Sequence, residues 1–202
     1  MGGNSGDMID GGSGIDTMFG GMGHDSYWID NTKDVVIEVL YDSEVNTGQN
    51  RDEDLVVVNS SSWTMTAGQH IELAIANGAI GSSIFQYDAP KTDAAISITA
   101  NELDNVLLGN AASNQLSGMD GDDILMGSAG NDKLFGGKGS DRIAGGVGND
   151  DLDGGEGDDF FAFDIDYQIG FEGDEISADL LKLTGGTDKI YGGTGTDTIW
   201  LG

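Results

Sequence analysis

The sequence contains no cysteine, which excludes disulfide bonds and thiolate metal sites and removes a common stabiliser of extracellular domains. Basic residues are scarce: 8 Lys and Arg stand against 36 Asp and Glu, a formal net charge of -28. A nucleic acid or an anionic lipid surface would be repelled by such a chain, and cations are its natural partners. No stretch is long and apolar enough to cross a membrane as a helix, so membrane insertion by this segment is not expected. The only two histidines, His24 and His70, belong to no HExxH and no histidine pair, which excludes a zinc-protease motif. GxSxG is also absent, and without cysteine there is no thiol nucleophile. The expectation is that the segment is not an enzyme. Adjacent acids such as Asp122 and Asp123, or Asp158 and Asp159, would suit glycoside hydrolysis, but they lie inside a glycine-rich turn, where a metal-ligand role is the better reading.

Proline is limited to Pro90, whereas glycine reaches 35 residues, too many for a helical domain and without the triplet order of collagen. The glycines follow a period of nine. GGSGIDTMF and GGMGHDSYW run from residue 11 to 28, preceded by GGNSGDMID from residue 2. GMDGDDILM, GSAGNDKLF, GGKGSDRIA, GGVGNDDLD and GGEGDDFFA follow one another from residue 118 to 162, and LTGGTDKIY and GGTGTDTIW run from residue 183 to 200. Before the central run, ANELDNVLL and GNAASNQLS keep the phase with Asn105 and Asn114 where aspartate is expected. Asp123, Asp132, Asp141, Asp150 and Asp159 recur without a slip, and Leu125, Leu134, Ile143, Leu152 and Phe161 follow in the same phase. The repeat resembles the GGxGxDxUx nonapeptide of the RTX family of type I secreted bacterial proteins, which binds calcium.

Each position has a physical task. Glycines at positions 1, 2 and 4 let the turn visit left-handed dihedrals and bring its carbonyls inward. Positions 7 to 9 form a short strand with the position-8 side chain inside. Calcium takes about six to eight hard oxygens, more than one turn with one aspartate offers, so two turns share an ion. Each repeat turns the chain through half a coil, and the sharing turns are therefore those of repeats i and i+2. The fold expected is all-β, a right-handed parallel β-roll (β-solenoid) of nonapeptide repeats. One inward apolar residue per nine buries too little to offset the entropy of ordering the rest, so the ions are expected to hold the roll together.

The resemblance implies a ligand pattern: carbonyls of positions 2 and 4 from the earlier turn, carbonyls of positions 1 and 3 from the later one, and the position-6 carboxylate of both. Three sets follow: Met119, Gly121, Asp123, Gly136, Lys138 and Asp141; then Ser128, Gly130, Asp132, Gly145, Val147 and Asp150; then Gly137, Gly139, Asp141, Gly154, Glu156 and Asp159. Further candidate pairs are Asp7 with Asp25, Asn114 with Asp132, and Asp179 with Asp197, while Asp16 and Asp188 stand at position 6 of their own repeats.

The domain reading is a first array over residues 2–28, a β-rich spacer over 29–99, a central roll over 100–162, an interruption over 163–182 and a third array over 183–202. In the spacer DVVIE (34–38), DLVVVNS (54–60), HIELAIA (70–76) and ISIT (96–99) read as strands. They either continue the solenoid as longer calcium-free rungs or pack as an insert between rolls. The aromatics of the second interruption suit a cap on the end of the central roll. Trp28, Trp63 and Trp200, with Tyr27 and Tyr191, suggest a sugar-stacking platform, although core filling and edge capping are the simpler account. The function expected is a structural, calcium-binding module, monomeric, secreted by the type I route and folding on several calcium ions outside the cell. The alternative is a module holding polysaccharide or a cell surface. The chain starts inside a repeat and stops after one, so a piece of a larger adhesin, toxin or hydrolase is the expectation.

Overall fold

The computed structural model describes residues 2–3, 5–38, 54–66, 70–76, 94–162 and 188–200. A nine-residue unit that spends six residues on a turn has three left for a strand, and most strands here are three or four residues long. Numbered in chain order, seventeen strands lie among the described residues, with no helix. The odd-numbered ones form a single parallel sheet in sequence order: β1 Met8–Asp10, β3 Ser26–Ile29, β5 Leu55–Val58, β7 Leu73–Ala76, β9 Val106–Leu108, β11 Ile124–Met126, β13 Arg142–Ala144, β15 Phe160–Ala162 and β17 Thr198–Trp200. The even-numbered ones lie opposite. β2 Thr17–Phe19 pairs with β4 Val35–Ile37, and a six-stranded sheet runs β6 Ser62–Thr64, β8 Ser97–Thr99, β10 Gln115–Asp120, β12 Lys133–Lys138, β14 Asp151–Glu156 and β16 Lys189–Thr194. Every pairing is parallel, and in the central repeats the partners are eighteen residues apart, as in Leu125 with Ile143 and Leu116 with Leu134. The architecture is an all-β parallel β-roll, each half-coil passing from one sheet to the other.

Position 8 builds the core. Leu125, Ile143 and Phe161 from one sheet meet Leu116, Leu134 and Leu152 from the other, all at most 1 % exposed. Met18, Tyr27, Val36 and Leu107 extend this column in the same phase. Strands 55–58 and 73–76 take their places between β3 and β9, so the nine-stranded sheet runs unbroken from the first array through the spacer into the central roll. Their sequences, LVVV and LAIA, are apolar on both faces. Val56, Val58, Ala74 and Ala76 point into the core, while Leu55, Leu73, Ile75 and Leu108 form a second buried cluster on the opposite face of the sheet, as continuous apolar strands do when both faces are covered.

The third array does not stand apart. β16 pairs with β14 and β17 with β15, so its rungs cover the end of the central roll, the place the sequence reading gave to the aromatics of residues 163–182. Those residues lie outside the described ones.

Successive turns approach closely enough to require glycine. A methyl on Gly137, at φ 122, would lie 1.8 Å from the carbonyl oxygen of Met119. Met119 and Ser128 hold the same repeat position with φ 84 and 81 despite their side chains, a conformation that costs a non-glycine residue about 1–2 kcal/mol. Met119→Gly, whose side chain is exposed, is therefore expected to stabilise the protein by up to roughly 1 kcal/mol after the gain in unfolded-state entropy. Leu134→Ala is expected to destabilise it by about 2–5 kcal/mol. Denaturant unfolding of both variants at one fixed calcium concentration measures the two effects.

Candidate metal centre

The residue just before each repeat strand is the position-6 acid, and the stacking of the strands lines these acids up along the two edges of the roll. Within a column each carboxylate reaches back one rung. The Asp123 N–H donates to Asp141 Oδ1 at 2.8 Å and the Asp141 N–H to Asp159 Oδ1 at 2.9 Å. On the other edge the Asp132 N–H donates to Asp150 Oδ1 at 2.8 Å. One oxygen of each acid is thereby satisfied. The second is not: Oδ2 of Asp123, Asp132, Asp141, Asp150 and Asp159 is buried and has no hydrogen-bond partner. These five side chains are at most 2 % exposed.

A buried carboxylate oxygen without a partner is costly, more so when charged. Burial is the main reason that the pKa of Asp123 and Asp132 is pushed up from 3.8 to about 7 and that of Asp141 to about 6, with the next carboxylate in the column adding to the rise. Asp150 and Asp159 are raised for the same reasons. The surroundings of the unpartnered oxygens are themselves oxygens. A methyl on Gly136 would sit 2.2 Å from Asp141 Oδ2 and 2.5 Å from the Gly154 carbonyl oxygen, and Gly118 and Gly127 stand in the same relation to Asp123 and Asp132. Position 1 thus keeps clear a space on which carboxylate and carbonyl oxygens of two turns converge. Hard, partly anionic donors with no proton to give fit a hard divalent cation such as calcium.

The three ligand sets read from the sequence are each brought together across two adjacent turns. Gly121, Gly130 and Gly139 donate their N–H groups to the carbonyls of Lys138, Val147 and Glu156, each at 2.8 Å. The Val147 N–H donates in return to the Ser128 carbonyl at 2.8 Å. Lys138 contributes only its backbone to this region, because its ammonium pairs with exposed Asp120 at 2.8 Å. The Asp7 N–H meets Asp25 Oδ1 at 2.7 Å and the Asn114 N–H meets Asp132 Oδ1 at 2.6 Å, so both of those pairs adjoin.

Four stretches of the chain, residues 1–35, 99–134, 126–161 and 176–202, match the family model of the RTX calcium-binding nonapeptide repeat, and together they make up more than half of it. The chain belongs to this RTX family. A search of curated proteins finds no match. Membership makes the two columns a calcium-binding structural module, and it lets the departures from the repeat be read against its pattern.

One pairing from the sequence needs correction. Asp197 stacks on Asp159, whose N–H reaches Asp197 Oδ1 at 3.2 Å, and Asp188 stacks on Asp150 at 2.9 Å. Asp179, the partner expected for Asp197, lies outside the described residues. The strand after each acid decides the matter: Thr198 pairs with Phe160, so the RTX column resumes across the interruption as though it were absent.

The sequence reading missed four acids of the spacer. The Asp16 N–H donates to Asp34 Oδ1 at 3.0 Å, the Asp25 N–H to Asp54 Oδ1 at 2.8 Å and the Asp54 N–H to Glu72 Oε2 at 2.9 Å. Each of Asp34, Asp54 and Glu72 directly precedes a strand, the position-6 place without its glycine turn. Asp34 stands nine residues beyond Asp25, and Asp54 and Glu72 are eighteen apart, a spacing by which both could have been found. Glu38 is the fourth. It accepts the Tyr27 hydroxyl and joins Asp25 and Asp54 in a buried group whose candidate ligand atoms lie within 4.8 Å of one another.

The tryptophans do not come together into one stacking platform. Trp63 is in the core with its Nε1–H on the Asp34 carbonyl at 3.2 Å. Trp28 and Trp200 belong to the second and last strands of the nine-stranded sheet, about 34 Å apart at roughly 4.8 Å per strand.

The raised acids fix the sign of the pH response. With calcium removed, a folded-state pKa above the ordinary 3.8 means that folding takes up protons. The stability these groups contribute is present below about pH 4 and lost as the pH rises through about 6 to 7. In excess chelator the strand circular-dichroism signal is thus expected to weaken between about pH 4 and about pH 7. Calcium affinity, measured by titration calorimetry, is expected to strengthen over the same interval as competing protons leave the carboxylates.

Proposed function

We propose that this chain is a folding module of a secreted bacterial protein, unfolded while calcium is scarce inside the cell and wound into its roll by calcium outside. The observation that carries this reading is the row of buried, unpartnered Oδ2 atoms on Asp123, Asp132, Asp141, Asp150 and Asp159. Without a cation these oxygens repel one another and forgo the solvation they had in the unfolded chain. When bound, calcium supplies positive charge and room for about six to eight oxygen ligands. The residues do the rest: glycine turns hold carbonyls toward the gap, each Oδ1 fixes its neighbour through a backbone N–H, and the apolar column sets the spacing. Because every inner acid faces two gaps, loss of one weakens both, and adjacent sites act together.

The role is structural and not catalytic. The adjacent acids that would suit glycoside hydrolysis divide their labour between the inside and outside of the turn. Asp123 and Asp159 enter the columns, whereas Asp122 accepts the Ser140 N–H at 2.7 Å and Asp158 accepts the Thr196 N–H at 2.7 Å on the exposed side. Each outer acid thus helps to stack the turns and is set apart from its inner neighbour.

Far-UV circular dichroism during a calcium titration tests the proposal. Above about pH 7, where the column acids are ionised, the wild-type chain is expected to show little strand signal in chelator and a steep, cooperative rise on adding calcium. Asp141→Asn, which faces both Asp123 and Asp159, is expected to move the midpoint to higher calcium more than Asp197→Asn, which adjoins only Asp159 among the described residues. Strand content undiminished by excess chelator at that pH would overturn it.

A further inference from the structure

Asn105 and Asn114 stand where the repeat has aspartate, and the bonds they make explain the substitution. Along both columns the position-6 carboxylate turns one oxygen back toward the preceding rung and finds a backbone N–H there, as Asp123 Oδ1 finds the Asn105 N–H at 2.8 Å. Ahead of Asn105 the rung is different. What faces the asparagine is the Ile71 carbonyl, and Asn105 Nδ2 donates to it at 2.8 Å. On the other edge Asn114 Nδ2 donates to Asn110 Oδ1 at 3.1 Å, and Asn110 Nδ2 donates onward to the Ala94 carbonyl at 3.0 Å. Turning the Asn110 amide over only moves the clash, since its oxygen would then face Ala94. Each junction needs one net donor, and a carboxylate has none. All three asparagines are buried at 1–3 % exposure, so water does not substitute for the missing donor.

The other end of the Asn114 amide matches the column. A methyl on Gly109 would lie 2.6 Å from Asn114 Oδ1, the place that Asp132 Oδ2 takes beside Gly127 at 2.4 Å. Unlike Asp132 Oδ2, the Asn114 oxygen is already held there, by the Asn110 N–H at 2.8 Å, and Asn105 Oδ1 accepts the Asn101 N–H at 3.4 Å, so neither end of these amides leaves an unsatisfied anionic oxygen for a cation. Both lead-in turns are built alike, with a second asparagine four residues earlier whose Oδ1 accepts a turn N–H: Asn101 from Leu103 at 3.1 Å and Asn110 from Ala112 at 2.9 Å.

We propose that Asn105 and Asn114 are the end-stops of the two calcium columns of the central roll: the Asn105 amide directly, and the Asn114 amide by way of Asn110, supply toward the preceding rung the donor that an ion replaces between later rungs. No cation binds between Asn105 and the rung of Ile71, or between Asn114 and the rung of Ala94. The polarity change lets a carboxylate-lined column abut a rung that offers a carbonyl, and it sets where the first ion of each column sits. The inference rests on the calcium-module reading above.

Crystals of the wild-type chain grown with terbium in place of calcium test it through anomalous scattering. Peaks are expected between Asp123 and Asp141, Asp141 and Asp159, and Asp132 and Asp150, with none in the two asparagine-closed gaps. A peak in either closed gap, with the others present, overturns the end-stop and leaves the calcium module standing. No peak anywhere overturns both. Asn105→Asp and Asn114→Asp provide a second arm: the number of calcium ions bound, by equilibrium dialysis, is expected to stay unchanged while the melting temperature at saturating calcium falls. An additional ion per substitution with a raised melting temperature would show that asparagine was only a weaker aspartate, and would sink the proposal. The crystal arm does not depend on the variants folding.

Discussion

The structure depends on one asymmetry within each position-6 carboxylate. Its Oδ1 accepts a backbone N–H from the rung before, which locks the register of two turns, while its Oδ2 is buried among other oxygens with nothing to bond. The first contact makes the stack specific and the second makes it conditional. A column of such groups cannot be ionised, dry and metal-free at once: it must hold protons, admit water or bind a cation. Everything else in the repeat serves that arrangement. Glycine at position 1 leaves the gap open, glycine at position 2 lets backbones close to within contact, and the apolar residue at position 8 fixes the distance between turns.

The regular repeats were legible from sequence because each demand falls on a single residue type at a fixed place. Asp123 to Asp159 and Leu125 to Phe161 could be put in register by counting alone, and the stacking of repeats i and i+2 follows from half a coil per repeat. The spacer was half legible. Its strands announced themselves through β-branched runs, but nothing local shows that LVVV and LAIA sit in the same sheet as Tyr27 and Leu107, because the stretches of sequence between them are long and lack the nine-residue period. The acids Asp54 and Glu72 had only their eighteen-residue spacing to mark them: without glycines around it, an acid before a strand looks like any solvated residue. The pairing of Asp197 went wrong by assuming that stacking follows distance along the chain. Sheet pairing joins it to Asp159 across the interruption, and a long insertion adds little to the entropy of closing a rung.

Asparagine in a repeat of aspartates reads from sequence as decay of the motif. In the structure it marks a change in what the neighbouring rung presents. Asp and Asn differ by less than a hydrogen bond when the partner is an N–H, since both offer an oxygen; they differ completely when the partner is a carbonyl. Asn105 and Asn114 occur where the partner is of the second kind, and the Asn101 and Asn110 side chains that brace them have no counterpart in the glycine turns that follow.

The roll therefore uses two kinds of cohesion in series. In the arrays the inner face is apolar and the edges are carboxylates, so adhesion between rungs comes with a demand for cations. Across the spacer the balance shifts. Leu55, Leu73, Ile75 and Leu108 bury the opposite face of the same sheet, and the apolar area they remove from water adds to that of the inner face in holding the rungs together. The even-numbered side changes further. Between Asp34 and Asn114 its rungs are preceded by Ser61 and Ile96, and Ser97 and Gln115 bond to the carbonyls of those two residues. On that edge the carboxylate column is interrupted, while on the other it continues from Asp7 through Asp25, Asp54 and Glu72, with its polarity reversed only at Asn105. A spacer with cohesion of its own can keep the arrays on a common axis, so that a rung added by cation binding on one side has a template to stack upon.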